Sequence, residues 1–559
     1  MKKILSIALI AVMLLSIAAF AQADTLTGKA KGFGGELTVT VTTDADKITA
    51  VTVDSHNETP NIGTNAIDQL PAKIVEANSA DVDVVANATV TSNAIIAAVK
   101  NAMDPAANPY VVEEKKAAEV VAVSASGLKH GLAITGTPRL GPGADANGTP
   151  VYSFNEVVAY AIVDADNRIV NLEMDILEVI TTNHDESNDG DNFMAGWPGQ
   201  SYANDAEGDG TVEGDLLMTD EIFVNELNTW LTKRQKGDAY MMGAGSWASQ
   251  MDTFENFFIG KTVEEIREWY AKHCSDRNGR PLKDGSTNEE DAAKYALLSD
   301  EEKAALADVT SGATMSLTDP HGDILEAIEA AVAAAVPMRE FEKIAGIGLG
   351  VNVTPRLGPG ADDQGVPCYS FNISASGVCY DEAGKIVDMR TDVLEIITPN
   401  HDGADDNVFT GWPGQSYNAD VNADAVVDEV WTQTEDTFVA QVDAFTTKRA
   451  LGDKYRMNAG TWNEEMLGFE NFFVGKTVEE IQAWCAKSCS DRNGRPLKDG
   501  STNEEDAAKY ALLTDEEKAV LADVTSSATM SLTDPHGNIL DAIVKSEAGK
   551  AAVDLTSAK

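Results

Sequence analysis

The stretch Glu36–Val53, ELTVTVTTDADKITAVTV, gives the clearest structural signal in the chain. Apolar and polar residues alternate over Glu36–Thr43 and again over Ile48–Val53, which is the period of a half-buried β-strand. The segment Asp44–Asp46 between them has the composition of a turn. We therefore predict a β-hairpin at this place.

Two helices are predicted after this hairpin. Thr64–Ala77 has apolar residues at helical spacing, with Pro71 inside it, which predicts either one kinked helix or two short ones. Asn93–Met103 predicts a second helix. Residues 24–104 are thus predicted as a small α+β domain, and residues 105–130, rich in Pro, Glu, Lys and Ala, as a linker.

The rest of the chain contains a duplication. The string CSDRNGRPLKDGSTNEEDAAKYALL at Cys274–Leu298 recurs unchanged at Cys489–Leu513, an offset of 489 − 274 = 215 residues. Two large units are predicted from it, residues 131–337 and 342–546. Repeats of this length are whole domains rather than solenoid units.

Each large unit repeats the plan of the small one. Val157–Val163 and Ile169–Met174 predict a hairpin, and Ile324–Ala335 and Ile539–Lys545 predict a terminal helix in each unit. Between hairpin and terminal helix we predict an insertion with aromatic residues and two helices. The fold class is therefore α+β, with three domains that each pack helices on an antiparallel hairpin or sheet.

The N-terminus resembles a secretory signal. Lys2 and Lys3 precede the apolar run Ile4–Phe20, and Ala21–Ala23 supplies small residues for cleavage before Asp24. An uncleaved membrane anchor is the alternative. No second long apolar run follows, so we expect no membrane span after cleavage of residues 1–23, and a location outside the cell or on the exterior of its envelope.

Charge and cysteine content exclude several classes of function. The 90 acidic and 42 basic residues give a net charge of −48, which disfavours binding to nucleic acid or to an anionic membrane. The five cysteines are too few for a disulfide framework in an exported chain this long. The sequence also has no C-x-x-C-H motif for haem and no cysteine cluster with iron–sulfur spacing.

The motif D-x-x-x-x-A-T occurs once in each predicted domain, ending at Thr89, Thr314 and Thr529. A loop of small residues lets backbone N–H groups approach an anion, and a helix that starts soon afterwards adds the positive end of its dipole. Asp319–Pro320 and Asp534–Pro535 are predicted to start those helices. The motif therefore predicts a phosphate site, with an ordinary helix entry as the alternative.

The small domain resembles the FMN-binding domain of the C subunit of sodium-pumping NADH:quinone oxidoreductase, the Rnf G subunit and secreted Gram-positive flavoproteins. The residues that carry the resemblance are Gly32–Gly35, His56–Gly63 and Asp83–Ser92. In that family a flavin transferase, which uses FAD and a divalent metal, esterifies the phosphate of FMN onto the last threonine of D-x-x-S/T-G-A-T. The resemblance implies up to three covalent FMN groups, on Thr89, Thr314 and Thr529. The other implied site residues are Asp83, Asp308, Asp523, Ser311, Gly312, Ala313, Ser526 and Ala528.

The three motifs match this signature unequally. Thr314 has the full signature, whereas Ser527 replaces the glycine ahead of Thr529 and narrows the access of the transferase to the loop. Ahead of Thr89 both central positions differ, since they are Ala86 and Asn87. We expect Thr314 to be the best acceptor.

Other candidate residues have simpler interpretations. Six aromatic residues of the large units are candidates to stack on a flavin ring, although a role as core anchors is favoured. They are Trp197, Tyr202, Trp247, Trp412, Tyr417 and Trp462. His184–Asp185 and His401–Asp402 lie in acidic loops that are favoured as solvated rather than metal-binding, and His321 and His536 are favoured as helix-entry residues.

These observations favour an exported electron carrier over an enzyme with its own small-molecule substrate. Several flavins on one chain would relay electrons from a membrane donor to an external acceptor. Two alternatives stay open: a terminal extracellular flavin reductase, which would be an oxidoreductase with an acceptor site in the aromatic insertions, and a surface binding or structural protein with degenerate flavin sites.

Overall fold

A computed structural model describes the chain from residue 24 to residue 556, with gaps. The described residues are 24–32, 35–45, 47–55, 63–85, 88–110, 127–145, 148–184, 191–204, 213–318, 320–401, 407–419, 424–426, 428–457, 459–533 and 535–556. The predicted signal segment 1–23 lies outside them, as do Phe33, Gly34 and His56–Ile62 of the family resemblance. The chain divides into two compact units, Met1–Lys116 and Ala117–Lys559.

The first unit is a three-stranded antiparallel sheet with two helices. Its strands are β1 Asp24–Gly32, β2 Gly35–Asp44 and β3 Lys47–Ser55, in the order β1-β2-β3. The predicted hairpin is therefore confirmed. The alternation of β2 buries Leu37, Val39 and Val41 completely.

Both predicted helices of the first unit are present. Gly63–Ala77 is one helix with Pro71 inside it, and Thr89–Met103 starts four residues earlier than predicted. The second helix packs closely on β1, since a Cβ at Gly28 would lie 2.0 Å from the carbonyl oxygen of Ala98. The close approach therefore depends on a glycine at this position.

The second unit contains both copies of the repeated sequence. The first copy has strands β4 Lys129–Ala144, β5 Pro150–Val163, β6 Ile169–Thr181, β7 Phe193–Met194, β8 Gln200–Asn204, β9 Glu213–Leu217, β10 Met241–Met242, β11 Gly245–Ser246 and β12 Val336–Pro337. The second copy has β13 Lys343–Ala361, β14 Pro367–Tyr380, β15 Ile386–Ile397, β16 Gln415–Ala419, β17 Asp428–Thr432 and β18 Ala551–Thr556. The predicted hairpins are confirmed as β5–β6 and β14–β15. β4 begins at Lys129, inside the segment predicted as linker.

The helices of the second unit lie mainly in the insertions. The first copy has Asp220–Leu227, Trp247–Phe258, Val263–His273, Glu289–Ala296, Asp300–Gly312 and Ile324–Ala333. The second has Glu435–Asp443, Lys448–Leu451, Trp462–Phe473, Val478–Ser488, Glu504–Ala511, Asp515–Thr525 and Ile539–Ala548. The terminal helices are confirmed. The prediction of two helices in each insertion is wrong, because each insertion has more than two. Most of these helices are short and begin with a side-chain cap, so they lack the long periodic pattern that predicts a helix.

The α+β class is confirmed by these antiparallel sheets and helices. One sheet, of order β17-β16-β8-β9, joins strands of the two copies. Among the described residues, no helix is both long and apolar enough to cross a membrane.

The two copies share a hydrophobic core. Trp197 donates its indole N–H to the carbonyl oxygen of Phe409 at 3.0 Å, and Trp412 donates to that of Met194 at 3.0 Å. Each indole thus reaches the backbone of the other copy. Such reciprocal contacts are those of a two-fold interface, here within one chain.

Candidate functional site

The acceptor motif of the first copy lies at the end of a helix, not in a loop. Asp300–Gly312 begins at a capping box of Ser299 and Glu302, and Leu306 and Val309 anchor it in the interior. Asp308 and Ser311 are exposed in its last turns, and the Ser311 hydroxyl donates to the carbonyl oxygen of Asp308 at 2.7 Å.

Thr314 follows directly after this helix. Ala313 before it is completely buried, and Thr314 itself is half-buried. Its backbone N–H donates to Gln250 Oε1 at 2.8 Å and its hydroxyl donates to the same oxygen at 3.3 Å. Gln250 is fully buried on the helix Trp247–Phe258, and its Nε2 donates to the carbonyl oxygen of Gly245 at 3.3 Å. A neutral amide therefore accepts both hydrogen bonds of the threonine that the motif predicts as the FMN attachment site.

The second copy holds its threonine with a carboxylate instead. Thr529 donates its N–H to Glu465 Oε2 at 2.7 Å and its hydroxyl to the same oxygen at 3.0 Å. Glu465 is fully buried, and its Oε1 accepts the backbone N–H of Ala459 at 3.0 Å. Asp523 and Ser526 are exposed and Ala528 is buried, as their counterparts are in the first copy.

The glycine of the signature is linked to a second position. A Cβ at Gly312 would lie 2.6 Å from Thr253 Oγ1, so a side chain there would collide with that threonine. In the second copy Ser527 stands at this position and Gly468 replaces the threonine, with 2.8 Å from a Cβ at Gly468 to Ser527 Oγ. The loss of glycine ahead of Thr529 is therefore compensated within the fold.

The predicted helix start after the large-unit motifs is wrong. The terminal helix of the first copy begins at Ile324, and Asp323 caps it by accepting the N–H of Glu326; Asn538 does the same for Asp541 in the second copy. Pro320 precedes the cap, and Asp319 and Asp534 lie outside the described residues. Thr314 thus follows the C-terminal end of one helix and lies ten residues ahead of the next, so the positive end of that second helix does not reach it.

The small unit does place its threonine at a helix start. Thr89 is the first residue of Thr89–Met103, where backbone N–H groups favour an anion. Asp83 is exposed, and the buried Ser92 hydroxyl accepts the N–H of Val85 at 3.0 Å, which ties the motif to the helix. Ala86, Asn87 and the Thr89 side chain lie outside what the structure describes.

The aromatic candidates in described positions are core residues. Trp197 and Trp412 have no exposed surface, and Tyr417 is 1 % exposed, so none is open to a flavin ring. Trp247 and Trp462 are also buried, each beside an arginine. The side chain of Tyr202 lies outside the described residues.

The histidine candidates take part in local contacts. His184 Nε2 lies 3.2 Å from Asp191 Oδ2, and no group of three metal-ligating side chains occurs in the described part of the chain. Asp185 and Asp402 lie outside that part. His321 offers its carbonyl oxygen to Lys233 Nζ at 2.9 Å, and His536 offers its own to Lys448 at 2.8 Å.

The sequence patterns did not predict the buried cluster of charged side chains that contacts the backbone of His321, or its counterpart at His536. Lys233 is 2.9 Å from Glu178, which also binds Arg139 at 2.7 Å. Burial acts to raise the pKa of Glu178, but Lys233 and Arg139 outweigh it and hold that pKa at about 2. Lys448, Glu395 and Arg356 repeat the cluster in the second copy.

Sequence reasoning also missed Gln250 and Glu465. The signal was available, since an offset of 215 places 250 on 465, and the alignment there exchanges an amide for an acid beside the acceptor. Residues present at Thr314 fit a phosphate ester, because the threonine is only half-buried and its hydroxyl faces a neutral amide. The fit at Thr529 is poorer, because a carboxylate touches the oxygen that would carry the phosphate.

Comparisons with known proteins agree with the resemblance. A 184-residue segment is 34% identical to chlorophenol reductase of Desulfitobacterium hafniense and covers 32% of this chain and 49% of that protein. NADH:acrylate oxidoreductase of Vibrio harveyi is 33% identical over 132 residues, 24% of this chain and 13% of its own length. Urocanate reductase of Eggerthella lenta is 40% identical over 106 residues, 19% of this chain and 17% of its own length. The chain thus spans about half the length of the first of these relatives and less of the others. Residues 32–104 match the FMN-binding domain, and this segment of the chain therefore belongs to the FMN-binding domain family.

Proposed function

We propose that this chain is an exported electron carrier with FMN attached covalently to threonine. The observation that carries the proposal is the family match of residues 32–104, a segment that contains one of the three D-x-x-x-x-A-T motifs. FMN supplies one- and two-electron chemistry when it is bound. The protein residues hold its phosphate at a threonine and keep the cofactor on a chain outside the cell, where free FMN would diffuse away.

The proposal includes three related domains, the last two a tandem duplication with a larger insertion. Matching strand registers support it: Thr137 pairs with Asn155 in the first copy, and Thr354 pairs with Asn372 in the second. Thr354 and Asn372 each lie 217 residues after their counterparts, so the long hairpins of the two copies have the same register. Up to three acceptors follow, namely Thr89, Thr314 and Thr529.

Attachment requires a flavin transferase as a maturation partner. The threonine Oγ1 bonds to the FMN phosphorus of FAD, the pyrophosphate bond breaks, AMP leaves and the hydroxyl proton passes to solvent. Thr314 is the acceptor that we favour, because the residue is only half-buried and its hydroxyl contacts a neutral amide. A membrane donor and an external acceptor complete the proposed electron path.

A terminal reductase is the second candidate function. It is favoured by the names of the three relatives, each of which is a reductase or an oxidoreductase. Their shared segments are short relative to those proteins, and burial of Trp197 and Trp412 removes these residues from any acceptor site. We therefore prefer the carrier.

The test is intact-mass measurement of the full chain after co-expression with a flavin transferase. We expect whole-number FMN adducts, loss of one adduct in Thr314→Ala, and no loss in the matched control Thr310→Ala, four residues earlier in the last turn of the helix Asp300–Gly312. A chain without adducts refutes carrier and reductase alike and leaves the binding or structural role. Turnover of a defined acceptor beyond reoxidation of the flavins would favour the reductase.

Export has its own measurement. We expect the protein to be recovered from outside the cytoplasm of the source organism, and N-terminal sequencing to show that its first residue is Asp24. A mature chain that still begins with Met1 contradicts cleavage and favours a retained anchor.

A further inference from the structure

The two large-unit threonines differ most in the residue that accepts their hydroxyl hydrogen bond. Thr314 and Thr529 are both half-buried and follow a buried alanine, so exposure does not separate them. Thr314 contacts the amide oxygen of Gln250, whereas Thr529 contacts a carboxylate oxygen of Glu465. This exchange acts directly on the oxygen that would carry the phosphate.

We propose that the residue at 250 and 465 sets which threonine accepts FMN: Gln250 permits attachment to Thr314, and Glu465 disfavours it at Thr529. The inference rests on the proposed function, since it assumes that FMN is esterified to threonine. It adds a specificity-determining residue outside the D-x-x-x-x-A-T motif.

The charge of the ester gives the physical reason. The reaction replaces the hydroxyl proton by a phosphodiester that carries one negative charge, and the threonine oxygen loses the hydrogen that it donated. At Thr529 that oxygen lies 3.0 Å from Glu465 Oε2, so two anions meet in a site where the carboxylate has no exposed surface. At Thr314 the facing group is a neutral amide, and its bond to the backbone N–H of Thr314 survives attachment.

The backbone around each residue is matched to its charge. Gln250 donates to a carbonyl oxygen, that of Gly245, whereas Glu465 accepts an N–H, that of Ala459. Every hydrogen bond of the Glu465 side chain described above is one that it accepts, which an ionised carboxylate satisfies. The hydrogen-bond donors around position 465 therefore suit an acid in the second copy.

The competing explanation is the altered motif itself, since Ser527 replaces the glycine. The structure weakens that explanation, because Gly468 makes room for Ser527 where Thr253 fills the space beside Gly312. The two explanations predict different variants to restore attachment, so they are separable.

The magnitude follows from the separation of the charges. Two unit charges about 5 Å apart at an effective dielectric constant of about 20 correspond to a factor on the order of 10², and solvent at a half-exposed site reduces it. We expect the initial rate of FMN attachment at Thr529 to be at least about tenfold below that at Thr314.

The experiment is a time course with the purified full-length chain, flavin transferase, FAD and Mg²⁺, with peptide mass mapping of each threonine. Glu465→Gln should raise the rate at Thr529 toward that of Thr314, and Gln250→Glu should lower the rate at Thr314 at least about tenfold. The control Ser527→Gly with Gly468→Thr restores the signature glycine and its partner, and should leave Thr529 slow. Thermal unfolding of every variant verifies that the site is folded, and the reciprocal pair provides two independent readings.

The outcomes separate this inference from the proposed function. FMN on no threonine overturns the proposed function and the inference with it. Equal rates at Thr314 and Thr529 in the wild-type chain overturn the inference alone. A lower rate at Thr529 in Glu465→Gln also overturns it, and would assign Glu465 the role of a base that activates the hydroxyl.

Discussion

Glu156 makes the stability of the second unit depend on pH. It lies in β5 opposite Gly136 and Leu177, is completely buried, and neither of its side-chain oxygens has a hydrogen-bond partner in the described structure. Burial raises the pKa of this carboxyl group to about 8. The folded protein therefore holds a proton at pH 7 that an unfolded chain releases.

The sign follows from that difference in bound protons. The pKa of Glu156 is raised on folding, so the folded state binds more protons than the unfolded state between pH 4.5 and 8, and stability falls as pH rises through that window. With these two pKa values the free energy of unfolding is lower at pH 7 than in acid by about 3 kcal/mol. Between pH 5 and pH 7 the change amounts to about 2.5 kcal/mol.

The perturbation is Glu156→Ile, because an offset of 217 places Ile373 at the same position of the second copy. The variant should gain stability at pH 7 by about 3 kcal/mol or more relative to wild type, with a smaller gain at pH 5. Urea unfolding at pH 5, 6, 7 and 8 measures it by tryptophan fluorescence, since all 8 tryptophans of the chain lie in the second unit. The exposed Glu289→Gln is the matched control, and the difference between its stability and that of wild type should be the same at every pH. A difference between wild type and Glu156→Ile that does not change with pH would refute the argument.

Two further predictions concern packing. Trp412→Phe removes the indole N–H that binds the carbonyl oxygen of Met194, so urea unfolding should show a loss of about 1–3 kcal/mol in the second unit; an unchanged midpoint would mean that this contact between the copies does not stabilise it. Gly312→Ser should lower the thermal midpoint because its side chain meets Thr253, and adding Thr253→Gly should recover most of the loss, as the second copy suggests; failure of that recovery would show that the two positions are not coupled.

Local patterns predicted the hairpins and terminal helices well. In Glu36–Thr43 the alternation alone assigns the buried face, and the structure buries the apolar set. The same reasoning failed at Asp308–Gly312, where Ser and Gly indicated a loop. A capping box and two inward apolar residues make it helical, which outweighs the low helix propensity of its last residues.

The contacts between the copies were out of reach of sequence patterns. Trp197 and its acceptor Phe409 are 212 residues apart, and nothing in either copy alone indicates that the other will cover it. Gln250 is similarly remote from Thr314, at 64 residues, so its role follows only once the helices are packed. Residues that act through long-range contacts are the ones a linear motif leaves out.

The core arrangement explains how the surroundings of one predicted acceptor threonine can change while those of the other are kept. Ala313 belongs to a hydrophobic cluster formed within the first copy, and Ala528 belongs to one within the second, whereas Trp197 and Trp412 belong to the core that both copies share. A substitution beside one threonine therefore perturbs a cluster of its own copy and leaves the shared core intact. On the inference above, Glu465 is such a substitution: it alters attachment at Thr529 without touching the contacts that join the copies. The double change at Ser527 and Gly468 has the same local character, because the Ser527 side chain occupies the space that Gly468 leaves free.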